Sequence, residues 1–441
     1  MKFPRISKFP RFSWRAPAPR SAFVWRWLYP VVLIGLIVTA GLLADSGLEN
    51  ALRIKDGKIT KVETDPCKPS FLAQVDSTPT MLVIETDAKN DAIGVTVMSL
   101  HPANKGGWVL QIPVETHLKD GKLLWQVWKN AAAPAPSTTI RPATQSSTTT
   151  RTTTTTTTTS PATTLSPTLS TDATTAGKAA MATAIGQLLG FAFPTDVVVL
   201  PTKSLATLMS TAMPFTLTLQ TAVQTEGPKG LQPLFNAGAI KVQKETDVVQ
   251  LFETVGPDGP QARLKRQKDL WNAWIDALEA TPAGLTALKS DTPALVTYVT
   301  GLASSSSEYR QLPVADEVSY LGLSIIEPNT ADLVVLAAQM VPFPVMIEPG
   351  ARLRTALFNG TTNCDLSVSA ATRFVENGAQ IDVLGNANTL DIARSEIIYY
   401  DSALKARVET FGRSLGIDSV RLLEGDSAVD MTVTLGADFK N

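Results

Sequence analysis

Three short runs, MLVIETD (81–87), GVTVMSLHP (94–102) and GWVLQIP (107–113), follow one another with only Asp, Asn, Lys and Gly clusters between them. Runs of this length rich in Val, Ile, Leu and Thr, punctuated by turn formers, read as consecutive strands with tight connections. They open a sheet. Further on, DVVVL (196–200) reads as a buried strand. Before it comes a helical run, KAAMATAIGQLLGF (178–191), with Met181, Ile185, Leu188 and Leu189 at helical spacing. After it come a short helix, SLATLMSTA (204–212), and another strand, FTLTL (215–219). ARLKRQKDLWNAWIDALEA (262–280) is a strongly amphipathic helix, with Trp271, Trp274, Ile275 and Leu278 on its apolar face and Arg263, Arg266 and Lys268 near its start. The section 281–346 adds LPVADEVSYLGLSII (312–326) and the helix TADLVVLAAQMV (330–341), after which Pro342, Pro344 and Pro349 mark a boundary. Strands alternating with helices predict an α/β (α+β) domain over residues 81–345.

The last ninety or so residues predict a second, small α/β domain over 350–441. RTALFNG (354–360) is a strand ending in a turn, and DLSVSAATRFVENG (365–378) is a helix closed by Asn377-Gly378. QIDVLGNA (380–387), SEIIYY (395–400), a helix from Ser402 to Leu415, VRLL (420–423) and DMTVTLGADF (430–439) complete a β-α-β-β-α-β order.

Upstream of the sheet, Trp27–Ala44 is a run of eighteen residues without a charge. As a helix it extends about 27 Å, close to the hydrocarbon thickness of a bilayer. Residues 1–26 carry seven basic side chains and no acidic one, whereas Asp45 and Glu49 follow the run, so the positive-inside rule leaves 1–26 as a basic cytoplasmic tail and places the rest outside. The run is longer than the 7–15 residues usual for a signal-peptide core. A single-pass anchor at 27–44 and a stalk at 45–80, with room for a packing strand or two, are therefore expected. After Arg26, 32 basic residues face 40 acidic ones, which opposes general nucleic-acid binding.

From about Ala131 to Thr175 the chain is almost all Thr, Ser, Pro and Ala. Such a segment has too little apolar surface to offset the entropy of ordering, so 132–176 is expected to be a disordered insertion within the first domain. It reads as an O-glycosylated spacer or as a tolerated loop expansion. Cys67 and Cys364 lie on the exported side, where a disulfide persists, but their spacing leaves a bridge and two separate thiols both open. His101 and His117 belong to no recognised metal-ligand spacing.

The terminal signatures resemble the LytR C-terminal domain of cell-wall proteins. They are Asn359-Gly360-Thr361, Asn377-Gly378, Gly385-Asn386-Ala387, SEIIYY and Val433-Thr434-Leu435-Gly436-Ala437-Asp438. Residues 81–345 in turn resemble a divergent catalytic domain of the LytR-CpsA-Psr family. The resemblance rests on a strand leading to Asp87, on Gln111-Ile112-Pro113 where the family has Ser-x-Pro, on the unit joining IGQLLG (185–190) to DVVVL (196–200), and on Arg263-x-x-Arg266-Gln267 opening a helix.

That resemblance implies transfer of polyprenyl-pyrophosphate-linked glycans to peptidoglycan, with arginines holding the pyrophosphate and acidic residues holding a divalent cation such as Mg²⁺. Guanidinium forks and a hard cation are what two adjacent phosphates require. On it, Arg263, Arg266 and Glu115 are the catalytic candidates, Gln267 and Lys89 the ligand-binding ones, and Asp87 and Asp91 the metal ligands. Val114-Glu115 stands where the family has Arg-Asp, and Lys89 stands in a loop where an arginine is expected. Val114 cannot hold a phosphate, and a lysine is a point charge without a fork. The expectation is a membrane-anchored envelope protein whose degenerate domain binds a polyprenyl-linked or cell-wall glycan and whose terminal domain contacts the wall or an envelope protein. The alternative is an active glycopolymer phosphotransferase using Mg²⁺.

Overall fold

The computed structural model describes residues 63, 65–132, 171–193, 196–228, 230–288, 291–320 and 323–440. The expected anchor at 27–44, the basic tail and most of the Thr-rich insertion lie outside them. Among the described residues no helix is long and apolar enough to cross a membrane.

The first strand, β1 (Leu72–Gln74), belongs to the second sheet described below. The three opening runs become β2 (Thr80–Thr86), β3 (Ala92–Leu100) and β4 (Gly107–Ile112), an antiparallel meander. DVVVL becomes β5 (Asp196–Pro201), parallel to β2. Two ribbons follow, β6 (Phe215–Leu219) with β9 (Gly238–Val242) and β7 (Val223–Gly227) with β8 (Gly230–Phe235). Next, β10 (Ser307–Gln311) adds parallel to β4, so the mixed sheet runs β10-β4-β3-β2-β5. The expected run 312–326 splits into an antiparallel pair, β11 (Val314–Tyr320) and β12 (Leu323–Pro328).

Every residue of β2 and β4 is buried, and the pleat sends alternate side chains to opposite faces. Met81, Val83, Met98 and Val109 pack on one side with Trp271, Trp274 and Ile275 of the Gly259–Glu279 helix. On the other side, Leu82, Ile84, Val97 and Leu110 pack with Trp128 and with Ile185 and Leu336. Those three come from the helices Leu124–Ala132, Thr171–Leu189 and Thr330–Met340. Two covered faces explain why the opening runs lack an apolar-polar alternation.

The terminal domain adds β13 (Leu353–Asn359), β14 (Ala379–Asn386), β15 (Glu396–Tyr399), β16 (Ser419–Leu422) and β17 (Met431–Leu435). With β1 they form a six-stranded sheet of order β1-β14-β13-β17-β15-β16. Its core gathers Leu357, Val433 and Ile397 against Phe374 and Phe411 from the helices Leu366–Glu376 and Lys405–Leu415.

The segment 45–80, expected as a stalk with room for a packing strand or two, supplies one such strand: β1 joins the edge of the terminal sheet, antiparallel to β14. A Cβ at Gly385 would lie 2.7 Å from the Phe71 carbonyl oxygen, so this glycine lets the incoming chain dock close. The adjoining Asn386 ends β14, and its side-chain amide donates to the carbonyls of Pro66 and Lys68 at 2.8 and 2.7 Å. Cys67 and Cys364 form a disulfide, with 4.8 Å between Cα atoms, which closes the same junction. Finally, the helix expected from Lys178 begins at Thr171, so the last residues of the 132–176 insertion are helical.

Candidate functional site

The site lies beside the turn that links β2 to β3 and beyond the end of β4. Asp87 Oδ1 accepts hydrogen bonds from the backbone amides of Lys89 and Asp91, at 2.8 and 2.9 Å, and Asn90 adopts a positive φ of 62°. The Trp128 indole N–H donates to the Asn90 carbonyl at 2.7 Å and braces the turn. Asp87 is thereby a turn former of the kind in which an Asp carboxylate caps its own following amides. Lys89 is exposed on that turn.

On the opposite wall, the first turns of the Gly259–Glu279 helix present Arg263. Its Nη2 contacts Glu115 Oε1 at 2.7 Å, and Arg263 is 6 % exposed. Arg266 and Gln267, one turn on, point elsewhere. Arg266 donates through Nε to the Leu251 carbonyl at 2.5 Å and through Nη2 to the Thr254 carbonyl. Gln267 Nε2 donates to the Phe252 carbonyl at 3.0 Å. Those carbonyls close the Glu245–Glu253 helix, whose last turn lacks intrahelical donors and carries the negative end of the helix dipole. The Arg-x-x-Arg-Gln pattern is thus divided between one site residue and two helix caps. Burial, reinforced by the neighbouring Arg263, lowers Arg266 to about 10, so it stays charged at neutral pH.

Glu115, Arg263 and Asp91 line one pocket of about 380 Å³ together with Trp125 and Lys129. Val114, Val255 and Leu323 form its apolar wall. Trp125 and Lys129 were not foreseen. They stand four apart on the Leu124–Ala132 helix and so share one face, a signal present in LWQVWK (124–129). Other clefts are larger, about 560 and 630 Å³, but neither contains any of the predicted site residues.

A second group of polar side chains lies buried within the sheet of the same domain. Glu85, fully buried on β2, accepts from the Thr96 hydroxyl, which in turn accepts from Gln111 Nε2 at 2.7 Å. Burial pushes the Glu85 carboxyl up to about 8, so it is mostly protonated at neutral pH. The Trp271 indole lies near it but outside hydrogen-bonding geometry.

The implied divalent cation fits these residues poorly. Asp87 is engaged by two amides, Glu115 by a guanidinium, and among the described residues no three acidic, histidine or cysteine side chains converge on one point. A hard cation takes six or more oxygen ligands, and with Glu115 held by Arg263 the pocket wall offers only the Asp91 carboxylate toward them, leaving the rest to water and ligand oxygens.

The chain is similar to LytR-CpsA-Psr proteins of known structure. TagT of B. subtilis is 14% identical over 66% of this chain and 94% of its own, with a TM-score of 0.37. TagV of B. subtilis is 13% identical over 60% of this chain and 96% of its own, with a TM-score of 0.38. A structure titled as the LytR-CPS2A-psr family protein YwtF (TagT) with bound octaprenyl pyrophosphate lipid is 13% identical over 66% and 93%, with a TM-score of 0.37. No protein-family model and no curated protein matches the sequence.

Proposed function

We propose that the chain is a membrane-anchored, extracytoplasmic envelope protein whose LytR-CpsA-Psr-like domain binds a polyprenyl-linked or cell-wall glycan without transferring it. On this reading the basic tail stays in the cytoplasm, the Trp27–Ala44 run crosses the membrane, and the terminal LytR_C-like domain docks on the wall or on an envelope protein. The observation that carries the binding-only reading is the Arg263–Glu115 ion pair, at 2.7 Å on the pocket wall. Pyrophosphate transfer needs a free fork on the leaving group, and here the one arginine at the pocket faces a carboxylate while Arg266 caps a helix. The pocket is about 380 Å³, a size that suits a headgroup rather than a long chain.

The test incubates the purified full chain with a prenyl-pyrophosphate-linked glycan and Mg²⁺. Retention of the glycolipid without cleavage of its pyrophosphate bond is expected. Turnover that disappears in Arg263→Ala, with the unfolding profile unchanged, would replace this reading with an active phosphotransferase.

A further inference from the structure

We infer that the pocket beside Trp125 takes a neutral sugar ring, not a phosphate. The inference rests on the glycan-binding reading above and names the part of the ligand that enters.

Charge comes first. The pocket carries two acids, Asp91 and Glu115, against two bases, Lys129 and Arg263, and the Glu115 carboxylate already neutralises the Arg263 guanidinium. A dianion that is to reach Arg263 must displace the Glu115 carboxylate and then sit beside it, and breaking a desolvated pair leaves an uncompensated charge; only the exposed Lys129 remains to meet it without that cost.

Hydrogen-bond capacity separates the two ligands more sharply. Arg263 Nε is a buried donor without a partner, and Glu115 Oε2 is a buried acceptor without one. The doubly esterified pyrophosphate of a lipid-linked glycan offers only oxygens that accept, so it can serve Nε while leaving the carboxylate oxygen unpaired. A hydroxyl both accepts and donates. One or two adjacent sugar hydroxyls therefore satisfy both atoms with no change in charge. An orphaned buried polar atom costs on the order of 1–3 kcal/mol, enough to set the preference.

Shape agrees. Trp125 is half-buried on the wall, and an indole, with an aromatic face and a polar edge, suits a ring that is apolar on its C–H face and polar at its rim. A volume of about 380 Å³ lies at the small end of small-ligand sites.

The experiment is calorimetric titration of the full chain with N,N′-diacetylchitobiose and, separately, with inorganic pyrophosphate. The disaccharide should bind and pyrophosphate should not. Trp125→Ala should weaken the disaccharide at least ten-fold and Trp125→Phe much less, while unfolding profiles of both variants check that the fold is intact. Glu115→Gln, which frees Arg263 of its counter-charge, should create measurable pyrophosphate binding. The assignment is overturned if the disaccharide does not bind, if Trp125→Ala leaves its affinity unchanged, or if pyrophosphate competes with it on the unaltered chain. A prenyl-pyrophosphate-linked glycan separates this failure from that of the functional reading. Glycolipid binding that survives Trp125→Ala defeats only the sugar assignment, whereas no glycolipid binding at all defeats both.

Discussion

The two sheets treat buried polarity in opposite ways. In the terminal domain, buried polar side chains meet partners at ordinary distances. Asn359 accepts from the Thr361 amide and donates to the Asn363 carbonyl, Asn386 holds two carbonyls of the incoming chain, and Ser395 bonds Asp438 and the Gly436 amide. In the first domain, Glu85, Thr86, Gln111, Glu115 and Arg263 each keep a buried atom without a partner, and among the described residues all such atoms lie in this domain. Folded proteins satisfy the great majority of buried polar groups, so a cluster of exceptions calls for an explanation. Here it runs from the pocket wall through the sheet to the long helix. The terminal domain reads as a finished structural module and the first as one that keeps groups in reserve for a ligand.

That contrast can be broken by measurement. The largest effect should come from the junction: Cys364→Ser opens a bridge between residues 297 apart and should cost about 2–5 kcal/mol in urea unfolding. A negligible change would mean that β1 docks without covalent help. Asn386→Ala removes the donor shared by Pro66 and Lys68 and should cost about 1–3 kcal/mol. Glu85 gives a pH signature. Its folded value lies near 8 against 4.5 for an ordinary glutamate, so the folded state binds the extra proton between those limits. Stability should therefore be full at low pH and fall as pH rises from about 4.5 to 8, by up to ~1.4 kcal/mol per unit. Unfolding curves of Glu85→Gln should be flat over that window, and an unchanged slope would place the titration elsewhere. The smallest effect should be a gain. Thr86→Val replaces an unpartnered buried hydroxyl with a methyl and should raise stability by about 0–1 kcal/mol, while a loss above that size would reveal a partner for the hydroxyl.

Much of this was readable in the sequence because it is local. The runs at 81–113, the helix at 262–280 and the terminal strand-helix order follow from period and turn chemistry, and all became the elements named for them. What escaped depends on distant pairing. β1 is three residues long, and its partner β14 lies some three hundred residues away, so the sequence left room for a packing strand in 45–80 but no local pattern could say which sheet it joins. Arg266 and Gln267 looked like ligand residues because their spacing fits the motif, yet their targets are carbonyls that only the packing of the Glu245–Glu253 helix brings within reach. Glu85 did leave a trace, as the one acid in a strand otherwise made of apolar residues and two threonines. Whether such a residue meets solvent or a second layer is decided by which helix covers that face.

The bridge at Cys67 also governs how load travels along the polypeptide. Tension arriving from residues before Cys67 passes through the sulfur atoms directly to Cys364, because the bond short-circuits everything between them. The pocket-bearing domain hangs on this line as a closed side loop, outside the path of force. A terminal domain held at a fixed point and pulled from its N-terminal side would then carry the strain alone, while the pocket keeps its shape.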